Sequence, residues 1–122
     1  MADTPDHEIY PRVDGLTVVY ERYNADFTGW DVMLYDLATN ATTVIANGLT
    51  HEPTPDLSGT TIAYTIGGGA GDTDIAVHDL ATNTTTVIAA AGNQVGPRLA
   101  GDMLSFMAVS YTHLTLPTIL LV

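Results

Sequence analysis

The sequence predicts an all-β protein that forms part of a β-propeller, with about two and a half four-stranded antiparallel blades. Three observations carry this prediction. The segment 31–46 returns as 74–89, a Pro-x-x-x-Gly element occurs three times, and the residues between these elements have strand-like patterns. The period is 43 residues, since 74 − 31 = 43. Four-stranded units with a period of about 40 to 45 residues are typical of propeller blades.

Each copy of the doubled segment is interpreted as a hairpin of two strands. In the first strand the apolar residues Val32 and Leu34 recur as Ile75 and Val77, with residues of changing character between them. This period of two is expected of a strand with one face against a core. The second strand reads Thr-Thr-Val-Ile in both copies, and β-branched residues favour extended backbone. We therefore expect strands near 31–36, 42–46, 74–79 and 85–89.

The two strands of each hairpin are joined by Asp-Leu-Ala-Thr-Asn, at 36–40 and 79–83. The Asp can accept backbone N–H groups in an Asx-type turn, and the Asn tolerates a left-handed backbone. Asn40 and Asn83 also begin N-glycosylation sequons, which would suit a surface protein. Turn geometry is the alternative explanation for both asparagines, and it is sufficient.

The Pro-x-x-x-Gly element lies at 11–15, 55–59 and 97–101. Each Gly is followed five residues later by an aromatic residue: Tyr20, Tyr64 and Phe106. A strand is expected on either side of this turn, and the later strands are expected near 16–21 and 61–66. The predicted domain is therefore a propeller fragment at 1–108. Its units are blade one at about 7–47, blade two at about 51–90, and half of blade three at about 93–108.

Composition limits the classes of partner. Eleven Asp and three Glu stand against three Arg and no Lys, so the net charge is −11. Such a surface disfavours nucleic acid and anionic membranes, and no apolar run is long enough to cross a bilayer. A salt-rich habitat and an ordinary solubilising surface explain the acidity equally well. Cysteine is absent, so a disulfide framework and a thiolate nucleophile are excluded.

The repeat resembles that of TolB-like propellers, especially the form found in bacterial and archaeal cell-surface proteins. The residues that carry the resemblance are the Pro-x-x-x-Gly-x-x-x-x-Tyr element and the following Trp30-Asp-Val-Met-Leu-Tyr-Asp-Leu-Ala-Thr-Asn segment. The likeness covers about 7 to 107, and Asn40 and Asn83 stand where that family usually has Gly. It implies a binding or scaffolding propeller, commonly outside the cytoplasm, and it does not supply catalytic residues. No signal peptide is recognised at the N-terminus.

Two functions follow as expectations. The first is a non-catalytic module that binds protein or carbohydrate at the propeller face, with no cofactor and with self-association possible through open blade flanks. The second is the propeller of a larger enzyme, such as a prolyl-oligopeptidase-like peptidase or a carbohydrate-active enzyme. The chain has no Gly-x-Ser-x-Gly elbow and no His-Glu-x-x-His helix. The first function is favoured because every repeated residue has a structural explanation.

A His-Glu pair precedes each of the first two prolines of the Pro-x-x-x-Gly element. If the strands before those prolines are innermost, the pairs would meet at one mouth of the channel and could hold a divalent metal. The candidate ligands are His7, Glu8, His51 and Glu52. In the third unit the same places hold Asn93 and Gln94, which favours the alternative that the Glu or Gln satisfies backbone groups at the start of the strand.

The last residues depart from the repeat. Residues 109–122 resemble the translation of a transposase adapter used in preparing sequencing libraries, and the repeat breaks off where they begin. We therefore expect 109–122 to be a non-native tail without a functional role. A genuine β-prone tail is the alternative.

Overall fold

The computed structural model describes residues 7–23, 29–49, 53–67, 73–88, 93–101, 103–109 and 115–121, with the backbone alone at 7, 8, 108, 109 and 115–121. These residues form strands and turns without a helix. The strands are β1 (His7–Asp14), β2 (Thr17–Tyr23), β3 (Trp30–Asp36), β4 (Ala41–Leu49), β5 (Asp56–Ser58), β6 (Thr61–Gly67), β7 (Thr73–Asp79), β8 (Thr84–Ile88), β9 (Asn93–Ala100), β10 (Met103–Val109) and β11 (Thr115–Leu121).

The strands make three antiparallel sheets, ordered β1-β2-β3-β4, β5-β6-β7-β8 and β9-β10-β11, which we name blades one, two and three. Within each sheet, strands that are consecutive in the chain pair with each other, as in a propeller blade. The six strands expected from the repeat are confirmed to within a few residues. In the part of the chain that the structure describes, no helix is long and apolar enough to span a membrane.

The first two strands of each blade are joined by a two-residue loop that begins with Gly15, Gly59 or Gly101. These glycines have φ of 61°, 57° and 56°. A positive φ at the first loop position but not at the second, as in blades one and two, is the geometry of a type II′ hairpin turn, for which Gly is preferred. The expectation that the first strand lies before the proline is wrong. In blades one and three the strand continues through Pro11 or Pro97 to the residue before the Gly, because the turn itself needs only two residues. In blade two the described first strand, β5, begins at Asp56, after Pro55.

A β-bulge lies at the proline of the first strand. In blade one, Ile9 and Arg12 pair with Glu21 and Val19, so β1 has one residue more than β2 over this stretch. The register of β9 against β10 shifts in the same way between Val95 and Arg98. The extra residue bends the strand and increases its local twist.

The doubled Asp-Leu-Ala-Thr-Asn segment forms the predicted turn in both blades. Asp36 Oδ1 accepts the Ala38 N–H at 2.9 Å, and Asp79 Oδ1 accepts the Ala81 N–H at 2.9 Å. Asn40 and Asn83 have φ of 58° and 54°, as their tolerance of left-handed backbone predicts. The structure therefore gives the repeated Asp and Asn residues a role in the turn.

Two apolar layers hold the blades together. The first joins blades one and two and consists of Val19, Val32, Leu57, Ile62, Tyr64 and Ala76. The second joins blades two and three and consists of Ala63, Ile75, Leu104 and Phe106. Successive residues of a strand point to opposite faces, so the central strands contribute to both layers. Burial of these side chains is the main stabilising contribution to the stacking of the blades.

The expectation that the third strand of each blade has one face against a core is wrong. Met33 and Ala76, at the alternate sites, are 2% and 1% exposed, and Val32 and Ile75 are 0% exposed. In blade two, stacking explains this, because that blade has a neighbour on each side and therefore two core faces. Blade one shows the same feature on its outer face. Val18 and Tyr20 are buried with Met33 there, so the expected open flank is covered at these residues.

Strand β11 lies where blades one and two have their third strand. It pairs antiparallel with β10 from Met103↔Leu121 to Val109↔Thr115. The backbone of 115–121 therefore continues the pattern of the blades. The origin of 109–122 and the predicted domain bounds stay predictions.

Candidate functional site

A cavity of about 280 Å³ lies beside the first strands of the blades. The strand β5 contacts both β1 and β9, so the blades converge along their first strands. We name this site the first-strand cavity. Its lining consists of Tyr10, Arg12, Glu21, Thr54, Pro55 and Arg98.

The lining comes mainly from two repeat positions, one on each side of the proline. The residue before the proline is Tyr10, Thr54 or Gly96, and the residue after it is Arg12, Asp56 or Arg98. The proline and the later glycine do not change between blades. The cavity is therefore lined where the repeats differ, on a backbone that they share.

The position before the proline has an unusual backbone in all three blades. Tyr10, Thr54 and Gly96 have φ of 53°, 40° and 64°. Gly adopts this conformation freely, whereas it costs about 1 to 2 kcal/mol for other residues and is rare for a β-branched residue such as Thr. Thr54 also has its Oγ1 3.4 Å from Thr65 Oγ1. Strained residues of this kind cluster at ligand sites, so the outliers support a functional role for the cavity.

The three cationic side chains of the protein have different surroundings. Arg22 donates from Nη2 and Nε to Asp31 Oδ2, at 2.7 and 3.0 Å, and Asp31 is nearly buried. Arg12 and Arg98 are exposed at the first-strand cavity, and Arg98 Nη1 donates to the Pro97 carbonyl at 3.0 Å. Over the described ranges, neither Arg12 nor Arg98 lies within 4.0 Å of a carboxylate oxygen.

Two carboxylates near these arginines are already engaged. Asp56 is 9% exposed, and its Oδ2 accepts the Leu99 N–H at 2.7 Å, which links β5 to β9. Glu21 lines the cavity but is 0% exposed and has an interaction of its own within the chain. The guanidinium groups of Arg12 and Arg98 are thus the charged groups at this site that are open to a ligand.

The predicted metal ligands fall largely outside the described side chains. His7 and Glu8 lie on β1, where their backbones pair with Tyr23 and Arg22, and only the backbone is described there. His51 and Glu52 lie outside the described residues. No group of three or more His, Cys, Asp or Glu side chains placed for a metal ion occurs among the residues that are described. The metal site stays a prediction.

In blade three, Asn93 and Gln94 stand in the places of the two His-Glu pairs, and their contacts are described. Asn93 Oδ1 accepts the Thr73 N–H at 3.0 Å, and Thr73 Oγ1 donates to the Gln94 carbonyl at 2.9 Å. The Gln94 side chain is 0% exposed, and neither of its amide atoms has a hydrogen-bond partner in the structure as described. In blade three it is therefore Asn93, in the place of His7 and His51, that satisfies a backbone group.

Sequence reasoning did not single out Tyr10, Arg12 or Arg98. A signal was present, because two of only three cations in a strongly acidic chain follow the prolines of the repeated element. Gly96 before Pro97 was a second signal, since Gly favours a positive φ. Neither signal shows that first strands from three blades share one cavity, which requires the topology.

No protein-family model matches the sequence, and no curated protein matches it either. Solved structures do match. The β-propeller domain of the Trilobed protease from Pyrococcus furiosus, described as having an open velcro topology, aligns with a TM-score of 0.77 and 24% identity, over 95% of this chain and 39% of that chain. TolB from Acinetobacter baumannii aligns with a TM-score of 0.66 and 21% identity, over 93% of this chain and 29% of that chain.

An acylaminoacyl peptidase from Pyrococcus horikoshii aligns with a TM-score of 0.65 and 19% identity, over 84% of this chain and 17% of that chain. The chain therefore spans 39% or less of the length of these structures. At these identities the likeness concerns the fold. The fold is that of part of a TolB-like β-propeller.

Proposed function

We propose that this chain is a non-catalytic propeller module that binds protein or another ligand at its first-strand cavity, within an extracytoplasmic or cell-surface protein. The location rests on the resemblance to TolB-like surface propellers. The observation that carries this proposal is that the positions of the repeat fall into two groups with different roles. The recurring Asp residues have structural roles in the turns, and most of the cavity lining comes from the positions beside the proline, which differ between blades.

The structural roles account for the recurring polar residues. Asp36 and Asp79 each accept a backbone N–H within their turn, so neither carboxylate needs a catalytic role. The first-strand cavity combines an exposed aromatic ring at Tyr10 with hydroxyl and guanidinium groups. Such a mixture of apolar contact and a few convergent polar groups suits ligand binding.

A second candidate function is the propeller of a larger enzyme. It is favoured by a specific observation, namely that propellers of a protease and a peptidase are among the similar structures. On this view the first-strand cavity would contact substrate on its way to a catalytic domain. Binding at the cavity is common to both candidates, whereas cleavage by this chain belongs to neither.

The binding proposal is tested by panning a displayed random-peptide library against the 122-residue chain, with the peptides fused at their C-termini. Binding of an enriched peptide is then measured by calorimetry for the unmodified chain and for Tyr10→Gly and Leu37→Ala. Tyr10→Gly removes a ring that is 60% exposed at the cavity and is compatible with the positive φ. Leu37→Ala is the control, because Leu37 is 46% exposed on the other hairpin.

We expect Tyr10→Gly to weaken binding by about tenfold or more, which corresponds to about 1.4 kcal/mol, and Leu37→Ala to leave it unchanged. Equal effects of the two substitutions, or enrichment no greater than on an unrelated acidic protein, would overturn the proposal. Mass spectrometry of the peptide after incubation with the chain should show it intact. Cleavage would contradict the non-catalytic assignment.

A further inference from the structure

We propose that the first-strand cavity recognises a carboxylate, which Arg12 and Arg98 bind from opposite blades. The inference rests on the proposed binding function and names the chemical class of its ligand. Arg12 follows Pro11 on β1, and Arg98 follows Pro97 on β9. The same step of the repeat therefore presents a guanidinium group from blade one and from blade three, and both line the same cavity.

The guanidinium groups of Arg12 and Arg98 are available to a ligand, unlike the other charged groups nearby. The third arginine, Arg22, is engaged by Asp31, and Asp56, which stands at the matching position of blade two, is engaged by the Leu99 N–H. Arg12 and Arg98 have no carboxylate partner of this kind within the described ranges. Guanidinium groups bind carboxylates through paired N–H donors, so two of them beside one cavity favour an anionic ligand.

The acidity of the chain does not oppose this assignment. The net charge is −11, but charges more than about 10 Å from the ligand are largely screened at 0.1 M salt. The nearby charges decide the local field, and those open to the cavity are the two guanidinium groups. Glu21 is the local exception, and it is fully buried with an interaction of its own.

Neutral donors at the cavity complete the site. The phenol of Tyr10 and the hydroxyl of Thr54 line it. Both residues have a positive φ, which is strained for them but not for Gly96 at the same position of blade three. Hydroxyl donors are suited to the second oxygen of a carboxylate whose first oxygen is held by a guanidinium group. The carboxylate can belong to a peptide C-terminus or to a free small acid, and the experiment separates these sources.

The test uses the full 122-residue chain and three probes: acetyl-Ala-Ala-Ala with a free carboxylate, the same tripeptide as its C-terminal amide, and succinate. Side-chain Nε–Hε signals of the three arginines are followed by NMR during titration. The signals of Arg12 and Arg98 should shift, whereas that of Arg22 should not, because Asp31 already holds it. Arg22 thus serves as the control within the same molecule.

Binding of the tripeptide acid should weaken about tenfold or more in Arg12→Gln and in Arg98→Gln, less in Arg98→Lys, and further as salt rises. The amide should bind at least about tenfold more weakly than the acid. Competition by succinate identifies a free carboxylate as sufficient, and its failure identifies a peptide terminus; either supports the inference. Equal binding of acid and amide, equal shifts at Arg22, or no effect of both Gln variants would overturn it.

The two proposals fail in distinguishable ways. Panned peptides that bind at Tyr10 but are insensitive to Arg12→Gln and Arg98→Gln would leave the binding function standing without the carboxylate. Loss of the tripeptide acid's binding in those variants, with no peptide enriched by panning, would retain the carboxylate and contradict binding of peptide segments that lack a free C-terminus.

Discussion

Five residues with a positive φ show how far the backbone conformation of a single residue could be predicted from the sequence. Asn40 and Asn83 were predictable, because Asn tolerates left-handed backbone and ends a short polar turn. Tyr10 and Thr54 were not, since intrinsic preference argues against an aromatic or β-branched residue there. Only Gly96 hinted at that conformation. Intrinsic backbone preference therefore fails as a predictor at the cavity, which is where functional strain is expected.

The buried phenol of Tyr64 gives a prediction about alkaline stability. Burial raises its pKa above the ordinary value of 10.0, and a hydrogen bond from Thr85 partly opposes this. The unfolded chain therefore loses the phenolic proton at a lower pH than the folded chain does. The free energy of unfolding should be unaffected by this group below pH 10.0 and should fall as the pH rises from 10.0 towards the folded pKa.

Urea unfolding between pH 8 and 11 of the unmodified chain and Tyr64→Phe measures this effect. The difference in unfolding free energy between the two chains should shift in favour of Tyr64→Phe above pH 10.0. A difference that stays constant between pH 8 and 11 would show that burial does not perturb this phenol.

At the scale of elements, the hairpin turns of neighbouring blades are linked by side chains. Asp14 Oδ2 accepts the Gly59 N–H at 2.6 Å, and Ser58 Oγ accepts the Gly101 N–H at 3.1 Å. The sequence predicted a turn within each blade at the Pro-x-x-x-Gly elements, which end in Asp14-Gly15 and Ser58-Gly59 in the first two blades. It could not show that the side chain before each Gly bonds to the Gly of the next blade, because that partner lies more than forty residues away.

These two bonds predict that removing either side chain increases amide hydrogen exchange at one of the two glycines and not at the other. Asp14→Ala should increase exchange of the Gly59 N–H by about fivefold, the equivalent of a net hydrogen bond of about 1 kcal/mol, and leave Gly101 unchanged. Ser58→Ala should do the reverse. Amide exchange measured by NMR on both variants provides the test, with each variant serving as the control for the other.

Parallel changes at both glycines would mean that the turns loosen together. The side-chain bonds would then not act separately. The larger effect is expected for Asp14, because hydrogen bonds to an ionised acceptor are stronger than those to a neutral hydroxyl.

At the scale of the whole molecule, the repeat made the propeller predictable, but the stacking of its blades was not. Period-two patterns indicated one buried face per strand, whereas Ile75 and Ala76, in the middle blade, are both buried. Alternation in a single strand cannot reveal how many neighbours its sheet has. The cavity could not be predicted for a similar reason. Arg12 and Arg98 are 86 residues apart in the sequence, since 98 − 12 = 86, and they line one cavity only because the first strands converge.

The final prediction concerns residues 109–122, whose sequence departs from the repeat although β11 completes a blade position. The two apolar layers between blades are built from residues no later than Phe106 among those described. Deletion of 109–122 should therefore leave amide protection in β2, β3, β6 and β7 unchanged. It should lower protection in β10, because that strand loses the partner with which it pairs over its full length.

Hydrogen exchange on the full and shortened chains measures both effects, with Ile62→Ala as a positive control. Ile62 is 0% exposed in the layer between blades one and two, so its truncation should destabilise both blades by about 2 to 5 kcal/mol. Collapse of protection in blades one and two on deletion, comparable to that of Ile62→Ala, would show that the tail is integral to the fold. Local loss confined to β9 and β10 fits a strand that only occupies an exposed sheet edge, since pairing at an edge adds hydrogen bonds without adding to the layers that join the blades.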